Sequence, residues 1–547
     1  MKNTASKAIF TLLCCLPMNF ILAQTEAGNT GSSYFTYTLI ALAVIIFLFI
    51  VIQVADNLIS IEARQLGVAG GNSFSLFPKW SEIFSSRKPA YLNGEKVTVL
   101  KQGHDILLEG GAEKHIKGIA QVATFAIQPA NFIGVSPIPK LEVEVGQEVK
   151  AGDILYADKK RPYLKWAAPV SGEIVAINRG EKRAIAEIVI MADKTIQYRQ
   201  FPRFALETAD RAELVAYLMD AGIWPLIRQR PFHLIPDEDT IPRDIFISTF
   251  DTAPLAPDLN LVVDGQEVAF QKGLDVLAKL TSGQVHLGLD ASSENAPHAA
   301  FTQARGVAKH WFSGKHPAGN VGIQIHHIRP IGGADDVVWT VGVQEVITIG
   351  KLFTEQKYDA SRVVVLSGAE LEQPQYVQTW QGANLGDLVK GNLKTEKVRI
   401  ISGDVLSGVK KDTSSFLNFF DDQVSVILEG DYFALFGWLL PTLNVPSVSP
   451  TFPSALLKDT TFRADTNTHG EKRAFVVTGN YEEVLPMDIY PQMLFKSILT
   501  GDFERMEGLG IYELAEEDVA LCEFVCVSKQ PIQEILRKGL ETMRAQA

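Results

Sequence analysis

The chain has 547 residues, of which 46% are hydrophobic and 21% charged, and its formal net charge is -12. This length exceeds the roughly 250–300 residues that one hydrophobic core supports, so we expect several globular domains rather than a disordered chain. An acidic surface repels phosphate backbones, which argues against nucleic acid as a partner.

The N-terminus contains two apolar segments. Residues 1–23 have the parts of a secretory signal, because Lys2 and Lys7 precede an apolar core; an uncleaved membrane segment is the alternative. The second segment, Tyr34–Ala55, contains no charged residue. At about 1.5 Å per residue it is long enough to cross a hydrocarbon core of about 30 Å. We therefore predict one transmembrane helix at residues 34–55.

The charges after this segment predict its orientation. No Lys or Arg lies between Lys7 and Arg64, whereas Lys79 and Arg87 follow Arg64. By the positive-inside rule, the C-terminal side faces the cytoplasm. The sequence thus predicts a single-pass protein of a bacterial inner membrane, with most of the chain on the cytoplasmic side. Residues 56–100 are predicted to be a juxtamembrane tether.

Residues 101–200 are predicted to form a barrel-sandwich hybrid domain of the biotinyl/lipoyl type. Short runs in which apolar and polar residues alternate are interrupted by Gly and Pro. The two halves of that fold are resembled by Val145–Leu155 and Ala168–Val175. In this reading Lys159 is a candidate lipoyl or biotin carrier. A structural domain is the preferred interpretation, because Pro162 and the bulky Tyr163 follow at once.

Residues 201–356 are predicted to form a Rossmann-like α/β domain with a parallel sheet. Asp244–Thr249 and Gln284–Leu289 have the pattern of buried strands, and Thr208–Met219 and Gln266–Leu280 that of helices. We expect His326 and His327 on a strand, where neighbouring side chains face opposite sides, so no metal site is predicted there.

A glycine-rich loop follows Phe312 and is the candidate site. Glycines at this density let backbone N–H groups approach an anion or a flat cofactor, but a tight turn leading into the next strand is the preferred interpretation. The pattern is neither a Walker loop nor G-x-G-x-x-G. The candidate residues for a quinone or for an interface with a partner protein are Gly314, Lys315, His316, Pro317 and Gly319.

The last part of the chain is predicted to contain a β-grasp unit (SLBB-like, residues 357–480) and a helical domain (residues 481–547). Strands at Arg362–Leu366 and Gln375–Thr379 precede a helix at Asn384–Val389. In the helical domain, Cys522 and Cys526 are two of only four cysteines, the others being Cys14 and Cys15. Two thiols cannot ligate an iron–sulfur cubane alone, so we expect them to pack as small buried side chains. The helical domain is assigned one apolar helix face formed by Met493, Leu494, Ile498 and Leu499.

Several phrases together resemble the A subunits of the Na⁺-translocating NADH:quinone reductases (Na⁺-NQR). They run in the same order from about Ile116 to the end of the chain. The phrases are Val145–Asp153 with Ala168–Gly172, Ile177–Arg183, Gly314–Gly319, Ile401–Gly408, Val484–Ile489 and Glu516–Cys526.

The resemblance implies a peripheral cytoplasmic protein, distantly similar to the flavoprotein subunit of complex I but without its redox groups. It implies that this chain binds no cofactor and has no catalytic residues, whereas the complex uses NADH, FAD, FMN, riboflavin, iron–sulfur and quinone. Subunits B to F are the implied partners, and contact with quinone is an open possibility. The alternative function is a membrane-anchored electron-input subunit of an Rnf-type or complex-I-flavoprotein-like NADH dehydrogenase.

Overall fold

The structure is a computed structural model that describes residues 89–433 and 460–546, with isolated positions between 37 and 51 and between 435 and 448. Residues 37, 39–44, 46–48 and 51 are helical. Within these described stretches, no helix has both the length and the apolar character needed to cross a membrane. The signal-like segment, the tether up to residue 88 and several positions of the predicted span at residues 34–55 lie outside the described residues.

The chain divides at Lys88 into two units, and the second, Pro89–Ala547, contains the following elements. The strands are β1 (Val97–Val99), β2 (Ile116–Ile119), β3 (Thr124–Ile127), β4 (Lys140–Leu141), β5 (Glu148–Val149), β6 (Ile154–Ala157), β7 (Lys165–Ala167), β8 (Gly172–Arg179), β9 (Ile185–Ala192), β10 (Arg228–Arg230), β11 (Ile245–Ser248), β12 (Val285–Asp290), β13 (Ala308–Ser313), β14 (Val338–Thr340), β15 (Ser361–Ser367), β16 (Gln375–Trp380), β17 (Val398–Ser402), β18 (Val409–Lys411) and β19 (Gln423–Leu428). The helices are α1 (Arg211–Asp220), α2 (Leu259–Val263), α3 (Glu267–Ala278), α4 (Ala299–Thr302), α5 (Val321–Ile328), α6 (Val343–Thr354), α7 (Leu385–Val389), α8 (Asn480–Val484), α9 (Pro491–Thr500), α10 (Phe503–Gly508), α11 (Glu516–Phe524) and α12 (Ile532–Gln546).

Two small sheets form the predicted barrel-sandwich hybrid. One has the strand order β3-β9-β8-β5 and the other β4-β6-β7. In the second sheet, Tyr156 on β6 and Trp166 on β7 are paired neighbours, and their buried rings stack with centroids 4.7 Å apart. At Gly172 a Cβ would lie 1.9 Å from the carbonyl oxygen of Met191, so only glycine lets β8 approach β9 this closely.

The α/β domain is confirmed and contains a sheet with the order β1-β13-β12-β11-β14-β10, parallel except for the β10–β14 pair. Its strands β11 and β12 and its helix α3 coincide with predicted elements. Helix α3 packs closely on α6, because a Cβ on Gly273 would lie 2.1 Å from the carbonyl oxygen of Val346. Such backbone contact between two helices requires a residue without a side chain.

The edge strand β1 differs from the sequence prediction. Its residues fall in the stretch predicted to be a tether, yet Val97 pairs with Trp311 and Val99 with Ser313 in parallel register. A three-residue strand carries no periodicity of its own, so only its partner identifies it.

The position of His326 and His327 was predicted wrongly. Both lie in helix α5 rather than on a strand. The glycine-rich loop therefore leads into a helix, and its last residue, Asn320, is the N-cap position of α5. The two histidines stand in a short apolar run, and a short apolar run is compatible with a buried helix as well as with a buried strand. This ambiguity explains the error.

The β-grasp unit is built around a sheet with the order β18-β17-β19-β15-β16-β2. Its short helix α7 is capped by Asn384, whose side chain accepts a hydrogen bond from the backbone N–H of Asp387 at 3.1 Å. Strand β2 comes from the stretch assigned to the barrel domain, but it pairs in parallel with β16. The segment from β1 to β3 thus connects all three β-containing parts of the body.

The C-terminal helices α8–α12 pack around a core that they share with one face of the α/β sheet, including Phe246 and Phe312. Leu494, on α9, is fully buried, but Met493 and Leu499 expose 48% and 57% of their surface. The prediction that these residues share one face with Ile498 is therefore wrong. Residues six apart lie about 240° apart around a helix, so Met493 and Leu499 point away from each other.

Candidate functional site

The candidate loop lies at the carboxyl end of β13, beside the loop that follows β11. Ligands of open parallel sheets bind outside the carboxyl ends of the strands, so the loop stands where this fold class places a site. Lys315 is exposed, whereas His316, Pro317 and Gly319 are buried and Gly314 is half-buried.

The imidazole of His316 contacts the hydroxyl of Thr252, and a second hydrogen bond orients that hydroxyl. Thr252 Oγ1 accepts a hydrogen bond from the backbone N–H of Gly319 at 3.0 Å and lies 3.2 Å from His316 Nδ1. The hydroxyl proton of Thr252 is therefore free to be donated to Nδ1. Burial lowers the pKa of His316, which favours the neutral ring. When Thr252 donates to Nδ1, the neutral ring carries its proton on Nε2.

Nε2 of His316 is a buried nitrogen without a hydrogen-bond partner in the described residues. The side chain is only 3% exposed. An unpaired buried polar group costs about 1–3 kcal/mol, so such a group calls for an explanation. It is the one feature of the loop that points to a ligand.

The glycines of the loop serve packing rather than ligand approach. A Cβ on Gly319 would lie 2.7 Å from the backbone nitrogen of Thr252, and one on Gly314 would lie 2.8 Å from Leu100 Cβ. The N–H of His316 donates to Asp105 Oδ1 at 2.8 Å. Because protein acceptors occupy the N–H groups of His316 and Gly319, these groups are not available to an anion. The loop turns tightly, but it leads into helix α5 and not into the predicted strand.

A segment before β2 covers the loop from the other side. His104 donates its backbone N–H to the carbonyl oxygen of His316 at 2.9 Å. At Gly103, which has φ +120°, a Cβ would lie 2.5 Å from that same oxygen. Sequence reasoning did not identify this contact, because nothing in the local pattern of residues 103–105 indicates the distant loop.

Carboxylates surround the imidazole of His316. The charges of Asp404 and Asp105, followed by that of Glu517, oppose the lowering of its pKa by burial. Asp251 keeps solvent access but is closely surrounded by protein atoms. Loss of hydration raises the pKa of Asp251 to about 6, and the charge of Asp404 acts in the same direction. The surroundings of His316 formed by Asp105, Asp251, Asp404 and Glu517, called the crevice below, are therefore acidic.

The histidines of α5 connect the α/β domain to the C-terminal helices. His326 Nδ1 lies 2.8 Å from Glu513 Oε2, and its Nε2 accepts the backbone N–H of Asp488 at 3.0 Å. His327 Nε2 lies 2.8 Å from the carbonyl oxygen of Pro486. Both nitrogens of His326 and Nε2 of His327 are thus engaged by protein groups.

One group of potential metal ligands lies elsewhere in the described residues, at Asp264, Glu267 and His298. His298 Nε2 is 3.6 Å from Asp264 Oδ1 and 3.8 Å from Glu267 Oε1. His298 Nδ1 accepts the backbone N–H of Ala300, so a neutral ring carries its proton on Nε2. A nitrogen that carries a proton cannot ligate a metal, so the geometry is that of a polar contact.

Cys522 and Cys526 are buried and unpaired with each other. Tyr481 donates its hydroxyl to Cys526 Sγ at 2.9 Å, and burial raises the pKa of the Cys522 thiol. Both behave as small core residues, as predicted.

Lys159, the candidate lipoyl or biotin carrier, lies with Lys160 at the β6–β7 turn, where both are exposed. Asp158 is buried and anchors that turn by accepting the backbone N–H of Lys160.

Comparison with known proteins gives matches along the same parts of the chain. Residues 98–193 match the family model described as "NqrA N-terminal barrel-sandwich hybrid domain". Residues 209–358 match "NqrA second alpha/beta domain", and residues 363–412 match "NQRA C-terminal domain".

Curated relatives match over nearly their whole length, and each is named as the A subunit of a Na(+)-translocating NADH-quinone reductase. The protein from Saccharophagus degradans is 40% identical, over 81% of this chain and 98% of its own. The chain belongs to the NqrA family, the A subunits of the Na⁺-translocating NADH:quinone reductases. The Alcanivorax borkumensis member is 38% identical over 82% of this chain and 99% of its own, and the Neisseria meningitidis member 36% over 81% and 98%.

The structure brings together motifs that lie far apart in the sequence. The charges of Asp404 and of Glu517, near the start of α11, both act on His316, and Asn320 Nδ2 donates to the carbonyl oxygen of Glu517 at 2.9 Å. Thr252 and Asp105 were not anticipated. The only available signal for Thr252 was its position shortly after a predicted strand, where α/β folds carry functional residues.

Proposed function

We propose that this chain is the peripheral A subunit of a bacterial sodium-pumping NADH:quinone oxidoreductase, a complex that couples NADH oxidation and quinone reduction to Na⁺ export. The names of the relatives and their full-length match support this function. In the proposal the chain itself is not catalytic and holds no redox group. NADH, the flavins and iron–sulfur belong to partner subunits B to F.

The observation that carries the cofactor-free role is the acidity of the crevice. Nucleotide cofactors present phosphates to the carboxyl ends of parallel strands, usually to free N–H groups at a helix N-terminus. Here Asp105, Asp404 and Glu517 act on the crevice, and the N–H groups of His316 and Gly319 are already bonded. Negative charge and missing donors both oppose the binding of a phosphate.

The unsatisfied Nε2–H of His316 supports a quinone-associated role. A quinone offers carbonyl oxygens, which accept hydrogen bonds and carry no charge, so the acidic surroundings do not exclude it. In this proposal His316 donates to one carbonyl, and Gly314, Lys315, Pro317 and Gly319 form the wall of the site or an interface with another protein of the complex.

We further propose that residues 34–55 anchor the chain by a single pass, with the body on the cytoplasmic side of the inner membrane. The support is the uncharged length of that segment and the basic residues that follow it. The anchor tethers the body to the membrane and takes no part in the chemistry.

Co-purification combined with spectroscopy tests the function. A tagged full-length chain, expressed with the candidate partner subunits, is expected to retain them in detergent. The chain expressed alone is expected to show no flavin or iron–sulfur absorption and no NADH oxidation. Bound flavin or iron–sulfur bands in the isolated chain contradict the proposal and favour the Rnf-type or complex-I-flavoprotein-like alternative. An intact mass increased by a lipoyl or biotinyl group at Lys159 favours the carrier alternative.

The quinone role has its own test. His316→Leu removes the donor, whereas His316→Gln retains an N–H donor of similar reach. We expect Leu to weaken the binding of a short-chain ubiquinone analogue to the detergent-solubilised complex roughly tenfold, and Gln to weaken it less. His115→Leu, at an exposed position, is the matched control. Equal affinity in the His316→Leu variant and the unsubstituted complex contradicts this role.

A further inference from the structure

The β8–β9 hairpin of the barrel domain ends in a turn with an unfavourable backbone. Lys182 (φ 52°, ψ 28°) and Arg183 (φ 64°) are consecutive residues in the left-handed region. Ala184 donates its N–H to the carbonyl oxygen of Glu181 at 3.0 Å, which closes a two-residue turn of type I′. This turn strongly favours Asn-Gly, because both central residues need positive φ.

Two long side chains in these positions strain the backbone. L-residues with a Cβ are disfavoured in the left-handed region, and strain of this kind is found mainly where it serves a function. Arg179 braces the turn, because its Nη1 donates to the carbonyl oxygen of Arg183 at 3.2 Å. The turn therefore holds Lys182 and Arg183 in a fixed geometry instead of using the residues that would form it most easily.

The same turn exposes unpaired positive charge on an acidic chain. Arg179, Lys182 and Arg183 are all exposed, and none forms an ion pair with a carboxylate in the described ranges. Glu181 is the one acidic residue between Arg179 and Ala184. In a chain of net charge -12, the hairpin tip is a local basic surface.

We propose that this tip, Arg179–Arg183, docks onto an acidic surface of another protein of the same complex, with Lys182 and Arg183 contacting carboxylate side chains. The inference rests on the proposed function, because it requires a multi-subunit complex. Arginine and carboxylate form directional, charge-assisted hydrogen bonds, which reward a fixed presentation. Attraction to anionic lipid depends on the number of basic residues near the surface, so it gives no reason to retain a strained turn.

The test replaces the turn residues with those that the backbone favours. Lys182→Asn combined with Arg183→Gly is expected to fold at least as stably as the natural chain, because it relieves the strain. We expect its apparent Kd for the remaining subunits to rise roughly tenfold or more, and the difference to shrink at high salt. Lys159→Asn combined with Lys160→Gly removes two charges from another exposed turn of the same domain and is the matched control, expected to bind normally.

The readouts are the ratio of the subunits after washes of increasing salt, the thermal midpoint, and binding to vesicles of phosphatidylglycerol. An Asn-Gly variant that stays in the complex at every salt concentration overturns the proposal. So does a variant that keeps its partners but loses vesicle binding, because the tip then contacts lipid. If the unsubstituted chain retains no partner subunit, the proposed function fails together with the docking proposal. If the unsubstituted chain assembles and the substituted chain assembles equally well, only the docking proposal fails.

Discussion

The guanidinium of Arg230, at the end of strand β10, donates to the carboxylate of Asp518 in helix α11 at 2.6 Å, and both side chains are buried. Arg230 also donates to Glu517 at 2.7 Å, and Asp518 accepts the backbone N–H of Ala515 at 2.9 Å. A Cβ on the neighbouring Gly322 would lie 2.3 Å from Asp518 Oδ2. The pair therefore joins the α/β sheet to the C-terminal helices, and it is packed so tightly that no side chain fits at position 322.

Breaking this pair is expected to destabilise the body strongly. Asp518→Asn leaves the buried Arg230 with less compensating charge, and removal of one partner of a buried pair costs about 3–5 kcal/mol. We expect a lower thermal midpoint for the full-length chain in detergent and faster proteolysis of residues 480–546. The double variant Arg230→Met with Asp518→Leu removes both charges and is expected to recover most of the loss. If the double variant is no more stable than Asp518→Asn, the ion pair is not the cause.

A second prediction concerns the contact of α3 with α6. Gly273→Ala places a Cβ 2.1 Å from the carbonyl oxygen of Val346, so one helix has to move. We expect a loss of about 1–3 kcal/mol in the free energy of unfolding, which is typical of overpacking. Gly508→Ala, at the end of α10 with no atom within 4 Å of its Cβ, is the matched control and is expected to be neutral or slightly stabilising. Equal thermal midpoints for the two variants would contradict the close packing.

A third prediction concerns the acidity of the crevice. The folded chain raises the pKa of Asp251 from 3.8 to about 6, so this carboxyl lowers stability progressively as the pH rises from about 4 to about 6, and the full cost is present above that. Asp251→Asn removes this cost and keeps the oxygen that accepts the N–H of Ala253. We expect the variant to be more stable at pH 8, by less than about 1 kcal/mol because the side chain retains solvent access, and the gain to be much smaller near pH 4. A stabilisation that is equally large at pH 4 would rule out the electrostatic cause.

A fourth prediction concerns the thiols of α11 and the turn after it. Cys522 and Cys526 are buried, and burial raises the pKa of Cys522, so the thiolate that reacts with alkylating agents is not formed. We expect no maleimide labelling of either cysteine in the folded chain, measured by peptide mass spectrometry, and full labelling in denaturant. Val527→Cys, at a half-exposed neighbouring position, provides a thiol that should react in the folded state. Rapid labelling of Cys522 in the native chain would contradict its burial.

The elements that the sequence predicted well are those whose pattern is local. Helix α3 and strand β12 have clear periodicity over their own length, and the two halves of the barrel domain are marked by their turns. Strands β1 and β2 were missed because three or four residues carry no pattern. Their partners, β13 and β16, are distant in the chain. Such strands are defined by pairing and not by composition.

The candidate site, like the fold, was predicted only where its signal is local in the sequence. The loop and His316 follow from the sequence, because glycines and a histidine at the end of a strand are visible there. The state of the imidazole does not, since it depends on Thr252 and on the burial of the ring. The prediction of accessible N–H groups failed because Asp105 and Thr252 occupy them, and neither residue is near the loop in sequence.

The pairing of β1 with β13 also sets an order of events during synthesis. Val97 leaves the ribosome early but cannot join its sheet until Trp311 has been made. Because domains fold as they emerge, the edge of the α/β sheet stays open while the barrel domain is already complete. A nascent chain that is held at the membrane by its N-terminus would then carry an unpaired β1 until the residues through Ser313 have been made. Chaperone occupancy of residues 89–120 on stalled ribosomes should end once the segment through Ser313 has emerged.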